Sequence, residues 1–213
     1  MAYIELEKVS RRFGQEEVLK ELTWSLEAGQ VYGIVGNNGS GKTVLMKCIC
    51  GFLPVTSGVI KVGGRQIRKD VDFPEGLGVI IETPGFLTGL SGKRNLEILA
   101  ELRGQLGEEE ICQVLEKVGL DPSMKKPVGK YSLGMRQRLG IAQAIMEDPE
   151  FLILDEPFNG LDHRGAAEIR KILLEQKEQG KTILLASHNG EDIRILCDRV
   201  FEMDGGVMRE VRR

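Results

Sequence analysis

The chain has 213 residues, 41% of them hydrophobic, and a formal net charge of −3. This length is enough to bury one sizeable core, and the acidic balance argues against a surface built chiefly to bind nucleic acid. No apolar run approaches the ~20 residues that a membrane-spanning helix needs, and the opening MAYIELEKVS alternates like a strand and does not resemble a signal peptide.

The first part of the chain is predicted to be rich in strands. YIELEKV predicts a half-exposed strand, VLKELTWSLEAG a second strand or a hairpin, and VYGIVG a short buried strand that ends in glycines. A helix is predicted from Lys42 to about Cys50. GVIKVGGRQI then places a Gly63-Gly64 turn between two short strands, and LGVII predicts one more buried strand.

From Ser91 to Met146 the pattern is mostly helical. Ser91 is predicted to cap the N-terminus of GKRNLEILAELRG, with Gly104 near its C-terminus. EEEICQVLEKVG begins with three acids and ends with a lysine and a glycine, as the helix dipole favours. A third helix is predicted from Ser132 to Met146, ending before Pro149.

Strands and helices alternate again in the remainder of the chain. FLIL and TILLAS predict strands, GAAEIRKILLEQKEQG and EDIRILC predict helices, and RVFEM and VMREV predict a hairpin around Gly205-Gly206. This alternation predicts an α/β fold with a mostly parallel sheet, an N-terminal antiparallel β portion and an inserted α-helical subdomain. The predicted organisation is one domain, 1–213, with the core and β portion at 1–84 and 147–213 and the helical subdomain at 85–146.

The segment GNNGSGKT fits the phosphate-loop pattern G-x-x-x-x-G-K-[ST] between a predicted strand and a predicted helix. Its glycines let the backbone wrap a phosphate, and the helix N-terminus adds partial positive charge. Lys42 is expected to reach the β- and γ-phosphates, and Thr43 to hold Mg²⁺. The alternative is a glycine-rich turn that binds nothing. The sequence favours a P-loop NTPase core that binds ATP and Mg²⁺ through Gly36, Asn37, Asn38, Gly39, Ser40, Gly41, Lys42, Thr43 and Val44.

Two adjacent acids, Asp155 and Glu156, end the buried strand FLIL. A buried carboxylate is costly unless something pairs with it, and ligands of parallel-sheet proteins bind at the carboxyl ends of strands. Asp155 is therefore predicted to face the Mg²⁺ ion, and Glu156 to accept a proton from an attacking water. The alternative is a strand that ends in solvent with two ordinary surface acids.

Beside these motifs, nearly all 213 residues resemble the ATP-binding subunit of ABC transporters. YSLGMRQRLGIAQAIM resembles the family signature, usually written LSGGQ. Ser132 and Gly134 match it, and Tyr131, Leu133 and Met135 depart from its commonest form. By itself YSLG is better explained as an ordinary capped helix start. NGLD resembles the D-loop, formed by Asn159, Gly160, Leu161 and Asp162.

Two further positions resemble family residues. His188 in ASHNGED stands where the family has its switch histidine, which would bind the γ-phosphate or the attacking water; the alternative is one polar residue at a strand end. Phe13 in SRRFG resembles the aromatic that stacks on adenine, although a lone aromatic is often simply packed. The resemblance implies Glu156, His188 and Lys42 as the catalytic residues.

The resemblance also implies partners. Two subunits would form a head-to-tail homodimer, with each nucleotide between the phosphate loop of one chain and Ser132, Leu133, Gly134 and Met135 of the other. An integral-membrane permease would hold the chain on the cytoplasmic, inner face of the cell membrane, docking on the helical subdomain. VIIETPGFLTGLSGKRNLEILA and YSLGMRQRL resemble the branch that powers exporters of antibiotics and bacterial peptides, including bacitracin-resistance and lantibiotic-immunity systems.

Other functions compatible with a phosphate loop are less well matched. A soluble ABC-type ATPase acting on ribosomes or DNA would usually carry two cassettes or long coiled coils, and neither is present in the sequence. No nucleic acid partner is expected. A small-molecule kinase would not require the signature, the D-loop or His188.

Glu82, in IIETPG, stands where the family usually has glutamine. A carboxylate adds a full negative charge, and hard cations prefer charged oxygen ligands, so Glu82 is predicted to bind Mg²⁺ together with Thr43 and Asp155. The alternative is that Glu82 pairs with a basic residue such as Lys93 or Arg94, or with the membrane partner.

Overall fold

The computed structural model describes residues 2–104 and 106–211. Within them the chain forms ten strands, six α-helices and one short 3-10 helix at Val128–Lys130. In chain order the strands and α-helices are β1 (Ala2–Phe13), β2 (Glu16–Glu27), β3 (Val31–Val35), α1 (Lys42–Ile49), β4 (Ser57–Val62), β5 (Arg65–Gln66), β6 (Leu77–Ile80), α2 (Gly92–Arg103), α3 (Glu108–Lys117), α4 (Leu133–Ile145), β7 (Phe151–Asp155), α5 (His163–Glu178), β8 (Thr182–Ala186), α6 (Gly190–Leu196), β9 (Arg199–Asp204) and β10 (Val207–Val211).

The central sheet has six strands in the order β10-β9-β3-β8-β7-β6. All neighbours in it run parallel except β10, which pairs antiparallel with β9. Every residue of β7 and β8 is buried, as expected for parallel strands that are covered on both faces. The predicted mostly parallel sheet is confirmed.

The antiparallel β portion is a second sheet, with the order β2-β1-β4-β5. Its buried residues, among them Ile4, Leu6 and Leu26, form one core with residues from the central sheet and α1. Tyr3 on β1 meets Phe151 on β7 edge to face, with the ring centroids 5.8 Å apart. The antiparallel sheet therefore covers one face of the central sheet, and its existence was predicted correctly.

The helices α2 to α6 share a second core with the other face of the central sheet. The predicted N-cap residues are confirmed, since Ser91 Oγ accepts a hydrogen bond from Arg94 N at 3.2 Å and Ser132 Oγ accepts one from Met135 N at 3.2 Å. Gly104 ends α2 in the left-handed conformation, with φ 67°. Local sequence signals thus set these helix ends.

Several element boundaries differ from the sequence prediction, among them the end of β6 and the start of α5. β6 ends at Ile80, so Ile81 belongs to the following loop and not to the strand; Glu82, predicted to follow the strand, has a positive φ of 58°. α5 begins at His163, because the Asp162 carboxylate caps it by accepting a hydrogen bond from Gly165 N at 2.8 Å.

Among the described residues, no helix has both the length and the apolar character that crossing a membrane requires.

Candidate functional site

One cavity lies at the carboxyl edge of the central sheet, where the loops after β3, β6 and β7 meet the start of α4. Its volume is about 520 Å³. Of the predicted site residues, it brings together Asn38, Gly39, Gly41, Lys42, Thr43, Val44, Glu82, Leu133, Asp155, Glu156 and Asn159. Val18, Thr83, Pro84, Arg136 and Gln137 complete its lining and were not predicted.

The loop between β3 and α1 has a conformation that requires glycine at its two ends. Gly36 and Gly41 have φ of 149° and 108°, and a Cβ on Gly36 would lie 2.2 Å from the carbonyl oxygen of Met203. Gly41 precedes α1 with no side-chain cap. The first N–H groups of α1 therefore lack a capping acceptor from a side chain, which suits the binding of an anion.

Lys42 is held inside the curve of this loop. Its ammonium donates hydrogen bonds to the carbonyl oxygens of Gly36, at 2.7 Å, and Asn37, at 2.9 Å, and the residue is only 8% exposed. Ser40 Oγ is buried nearby and has no hydrogen-bond partner among the described residues. The loop thus offers a positioned positive charge and a spare hydroxyl, both suited to phosphate oxygens.

The two acids at the end of β7 have different partners. Asp155 is 9% exposed, and its Oδ2 accepts a 2.6 Å hydrogen bond from Thr43 Oγ1. Glu156 has a φ of 51°, unusual for a residue other than glycine, and its N–H donates to the carbonyl oxygen of Ala186 at 2.9 Å. This turn separates the two carboxylates, so that only Asp155 continues the strand.

His188 lies opposite Glu156, on the loop between β8 and α6. The distance between His188 Nδ1 and Glu156 Oε2 is 2.8 Å. The histidine side chain is 76% exposed and that of Glu156 is 27% exposed. An imidazole in this position can orient the carboxylate, and a partly exposed carboxylate is accessible to the water it would deprotonate.

The oxygen atoms of Thr43 and Asp155 fit a magnesium ion. Mg²⁺ prefers hard oxygen ligands and usually takes only one or two from a protein, the others being water and phosphate. Across residues 2–104 and 106–211, no group of three or more histidine, cysteine, aspartate or glutamate residues could hold a metal by itself. The donor set therefore suits an ion that arrives with a phosphate ligand.

Glu82 binds a lysine in this structure. Its Oε1 is 2.7 Å from Lys47 Nζ on the last turn of α1, and its side chain is 64% exposed. The alternative predicted for Glu82, an ion pair with a basic residue, is found, but the partner is Lys47 and neither Lys93 nor Arg94. The side chain of Lys93 reaches Glu97 and Glu108, and that of Arg94 reaches Glu97 and Glu101. These pairs lie along α2 and at the start of α3, so both cations are already neutralised there.

The signature segment packs directly on the D-loop of the same chain. A Cβ on Gly134 would lie 2.9 Å from the carbonyl oxygen of Gly160, and a Cβ on Gly160, which has a φ of 76°, would lie 2.3 Å from Leu133 Cγ. Ser132 and Leu133 remain exposed, and Met135 packs on the core. The D-loop begins with Asn159, whose N–H donates to the carbonyl oxygen of Glu156 at 3.1 Å, and Leu161 also packs on the core.

Phe13 lies outside the cavity lining. It ends β1, is 43% exposed, and carries the Arg11 guanidinium over its ring at 4.4 Å from the centroid. The apolar residue that does line the cavity from the antiparallel sheet is Val18. The stacking of adenine on Phe13 stays a prediction.

Gln137 is the main residue that sequence reasoning missed. It lies on α4, is 8% exposed, and its Nε2 donates hydrogen bonds to the carbonyl oxygens of Pro157, at 2.9 Å, and Glu156, at 3.4 Å. It therefore anchors the turn that carries the Glu156 carboxylate. Its signal in the sequence was a polar residue two positions before the buried Leu139, which is too weak to identify it alone.

Comparisons with known proteins agree on one family. Residues 19–159 match the family described as ABC transporter. The chain is 41% identical over 211 residues to the bacitracin transport ATP-binding protein BcrA of Enterococcus faecalis, covering 98% of this chain and 68% of the relative. It is 36% identical over 209 residues to the lantibiotic transport ATP-binding protein SrtF of Streptococcus pyogenes, covering 97% of this chain and 90% of the relative.

Solved structures extend the agreement to the fold. The ATP-binding cassette MJ0796, in a dimeric post-hydrolysis state bound to ADP and Pi, superposes with a TM-score of 0.86. The identity is 20%, and 99% of each chain is covered. At this identity the likeness establishes the fold alone, and the predicted α/β architecture is confirmed.

Proposed function

Because this chain belongs to the ABC transporter family, we propose that it is the ATP-hydrolysing subunit of a transporter that exports an antibiotic, a peptide or another small substrate. The observation that carries the proposal is that Lys42, the Thr43–Asp155 pair and Glu156 line one cavity, with His188 in contact with Glu156. The relatives named for bacitracin and lantibiotic transport support the class of cargo.

We infer a separate task for each group. Lys42 lies where the loop curves around an anion, so its charge would offset that of the β- and γ-phosphates. Thr43 and Asp155 would hold Mg²⁺, which when bound neutralises phosphate charge. Glu156 would accept the proton of the attacking water, and His188 would hold the carboxylate in the orientation that this transfer needs.

We propose a head-to-tail homodimer with two composite sites. Ser132 and Leu133 are exposed at the N-terminus of α4, where the helix dipole and free N–H groups favour an anion. One chain already supplies a complete phosphate loop, so this second anion site is best used by the nucleotide of the partner chain. The dimeric state of the solved cassette MJ0796 supports this arrangement.

The permease is proposed to dock on a groove beside the edge strand β6. This cavity of about 760 Å³ lies between the region 74–79 and the helices α2 and α4, and its apolar lining includes Leu99, Leu102 and Met146. Leu102 is 79% exposed. Phe52 and Phe73, both about half exposed, pack edge to face at 5.9 Å, and Phe73 directly precedes the groove residue Pro74. Exposed apolar side chains grouped in this way favour a protein partner, and the proposed helical subdomain, 85–146, supplies one wall of the groove.

Capture from solubilised membranes tests the transport function. Tagged wild-type chain is expected to retain an integral-membrane protein that stimulates its ATPase activity. Leu102→Glu is expected to lose that partner, because docking would bury and desolvate the new carboxylate. Its unstimulated ATPase rate should stay unchanged. Val207→Glu, on the exposed strand β10, is the matched control and should retain the partner.

Equal capture by Leu102→Glu and wild type would contradict docking in this groove. If wild-type chain hydrolyses ATP and retains only soluble proteins, the alternative of an ABC-type ATPase with a non-transport partner is favoured.

We propose further that Glu82 contributes to Mg²⁺ binding when it leaves Lys47. Glu82→Gln is then expected to raise the Mg²⁺ concentration at half-maximal ATPase activity, with a smaller change in the limiting rate, because a neutral amide is a weaker ligand for a hard cation. Lys47→Gln should lower the same midpoint, since it releases the Glu82 carboxylate from its ion pair.

The two variants separate the metal role from a structural one. If Glu82 serves only to hold its loop against α1, both variants break the same ion pair and should behave alike. Equal Mg²⁺ midpoints in wild type and Glu82→Gln would show that Glu82 is no metal ligand.

A further inference from the structure

A buried ion pair joins α5 to α6 behind the loop that carries His188. The side chain of Arg170, on α5, is 12% exposed, and its Nε donates to Asp192 Oδ1 at 2.6 Å. Asp192 belongs to the first turn of α6 and is fully buried. Arg170 also donates through Nη2 to Glu191 Oε2 at 3.0 Å. One guanidinium therefore holds two successive carboxylates at the start of α6.

The same arginine reaches the segment that follows Glu156. Its guanidinium carbon lies 6.0 Å from the centroid of the Phe158 ring, at the outer limit of cation–π attraction. Phe158 stands two residues after Glu156 and packs against the core that the helices share with the sheet. Arg170 thus binds the start of α6, which follows the His188 loop, and lies beside the segment that follows Glu156.

The start of α6 determines how the His188 loop is held. Ser187 Oγ accepts a hydrogen bond from Asn189 N at 3.1 Å and lies 3.5 Å from Asp192 Oδ2. The Asn189 side chain caps α6 by accepting from Glu191 N at 2.9 Å. His188 stands between these two anchored residues. A buried carboxylate requires its cation, so the placement of this turn depends on the arginine.

We propose that Arg170 is a positioning residue for ATP hydrolysis, which sets the approach of His188 to Glu156 by holding the first turn of α6 against the segment after Glu156. The inference rests on the proposed ATPase function. Arg170 is not among the residues that line the nucleotide cavity, and it acts through the two residues that it places.

A double-mutant cycle on turnover tests this role. Arg170→Met is expected to lower kcat about 10- to 100-fold, because a small misplacement of a reacting group has effects of that size. The KM for ATP should change by no more than about twofold, since the phosphate loop is untouched. The double variant Arg170→Met/His188→Ala should be no slower than His188→Ala alone. Multiplication of the two losses would overturn the proposal.

Two further variants control for structural damage. Lys177→Met removes another α5 cation, one that binds Asp198 and the carbonyl oxygen of Leu196 at the far end of α6. It should leave kcat unchanged, and an equal loss there would overturn the proposal. If Arg170→Met does not fold, Arg170→Met/Asp192→Leu removes the buried carboxylate as well. Its kcat should be equally low, and a wild-type kcat would overturn the proposal.

The outcomes separate this inference from the function on which it rests. Wild-type chain without ATPase activity would overturn both. Normal wild-type turnover together with an undiminished kcat in folded Arg170→Met would overturn the role of Arg170 and leave the ATPase function standing.

Discussion

Glu156→Gln is expected to bind Mg-ATP and to lose turnover by about 10²- to 10⁴-fold, the usual contribution of a general base. Glutamine keeps the shape of the side chain and can keep the contact with His188 Nδ1, which is 2.8 Å from the carboxylate. It cannot accept the proton of the attacking water. Single-turnover measurement of phosphate release, with nucleotide binding measured separately, checks the expectation.

The matched control for this variant is Glu150→Gln. Glu150 is exposed and directly precedes β7, at the end opposite Glu156, so its neutralisation should leave turnover unchanged. Rapid hydrolysis by Glu156→Gln would show that another group accepts the proton.

The same variant reports on the proposed dimer. ATP trapped in Glu156→Gln should hold two chains together, because each nucleotide would contact both, and light scattering would show twice the mass of the monomer. Adding Ser132→Arg should abolish this dimer and leave nucleotide binding by the single chain nearly intact. A monomer at saturating Mg-ATP would contradict the head-to-tail arrangement, and a dimer in the double variant would contradict the role of Ser132.

Lys42→Ala is expected to reduce kcat/KM for ATP by on the order of 10²- to 10³-fold, the loss usually seen when one positioned donor to a developing charge is removed. The lysine is buried and points its ammonium into the loop, so no other side chain is placed to replace it. Titration with ATP and steady-state turnover check the prediction.

Lys61→Ala separates loss of this ammonium from loss of charge in general. Lys61 lies on β4 and pairs with Glu7 on β1, at 3.1 Å. Both strands belong to the antiparallel sheet. Replacement of Lys61 should leave kcat/KM unchanged. Near-normal activity in Lys42→Ala would refute the assignment of the phosphate loop and the function built on it.

Much of the fold could be predicted because its signals are local. A helix cap such as Ser91 or Ser132 acts on an N–H three residues away, and Gly104 ends its helix through its own φ. The continuous apolar composition of β7 and β8 is enough to predict interior parallel strands. The errors lie at boundaries, as at the end of β6, where the last apolar residue of the run, Ile81, already belongs to a loop.

The candidate site likewise has a part that local sequence predicts and a part that depends on tertiary structure. The phosphate loop can be identified from eight consecutive residues, because its glycines, its lysine and its helix N-terminus act on one ligand from adjacent positions. The sequence by itself thus determined the anion-binding loop and the strand that ends in Asp155. Only the tertiary structure decided that Glu156 meets His188, that Glu82 meets Lys47 and that Arg170 meets Asp192. These pairs join separate elements, and their distances follow from how strands cross over and helices pack, which no short stretch of sequence encodes.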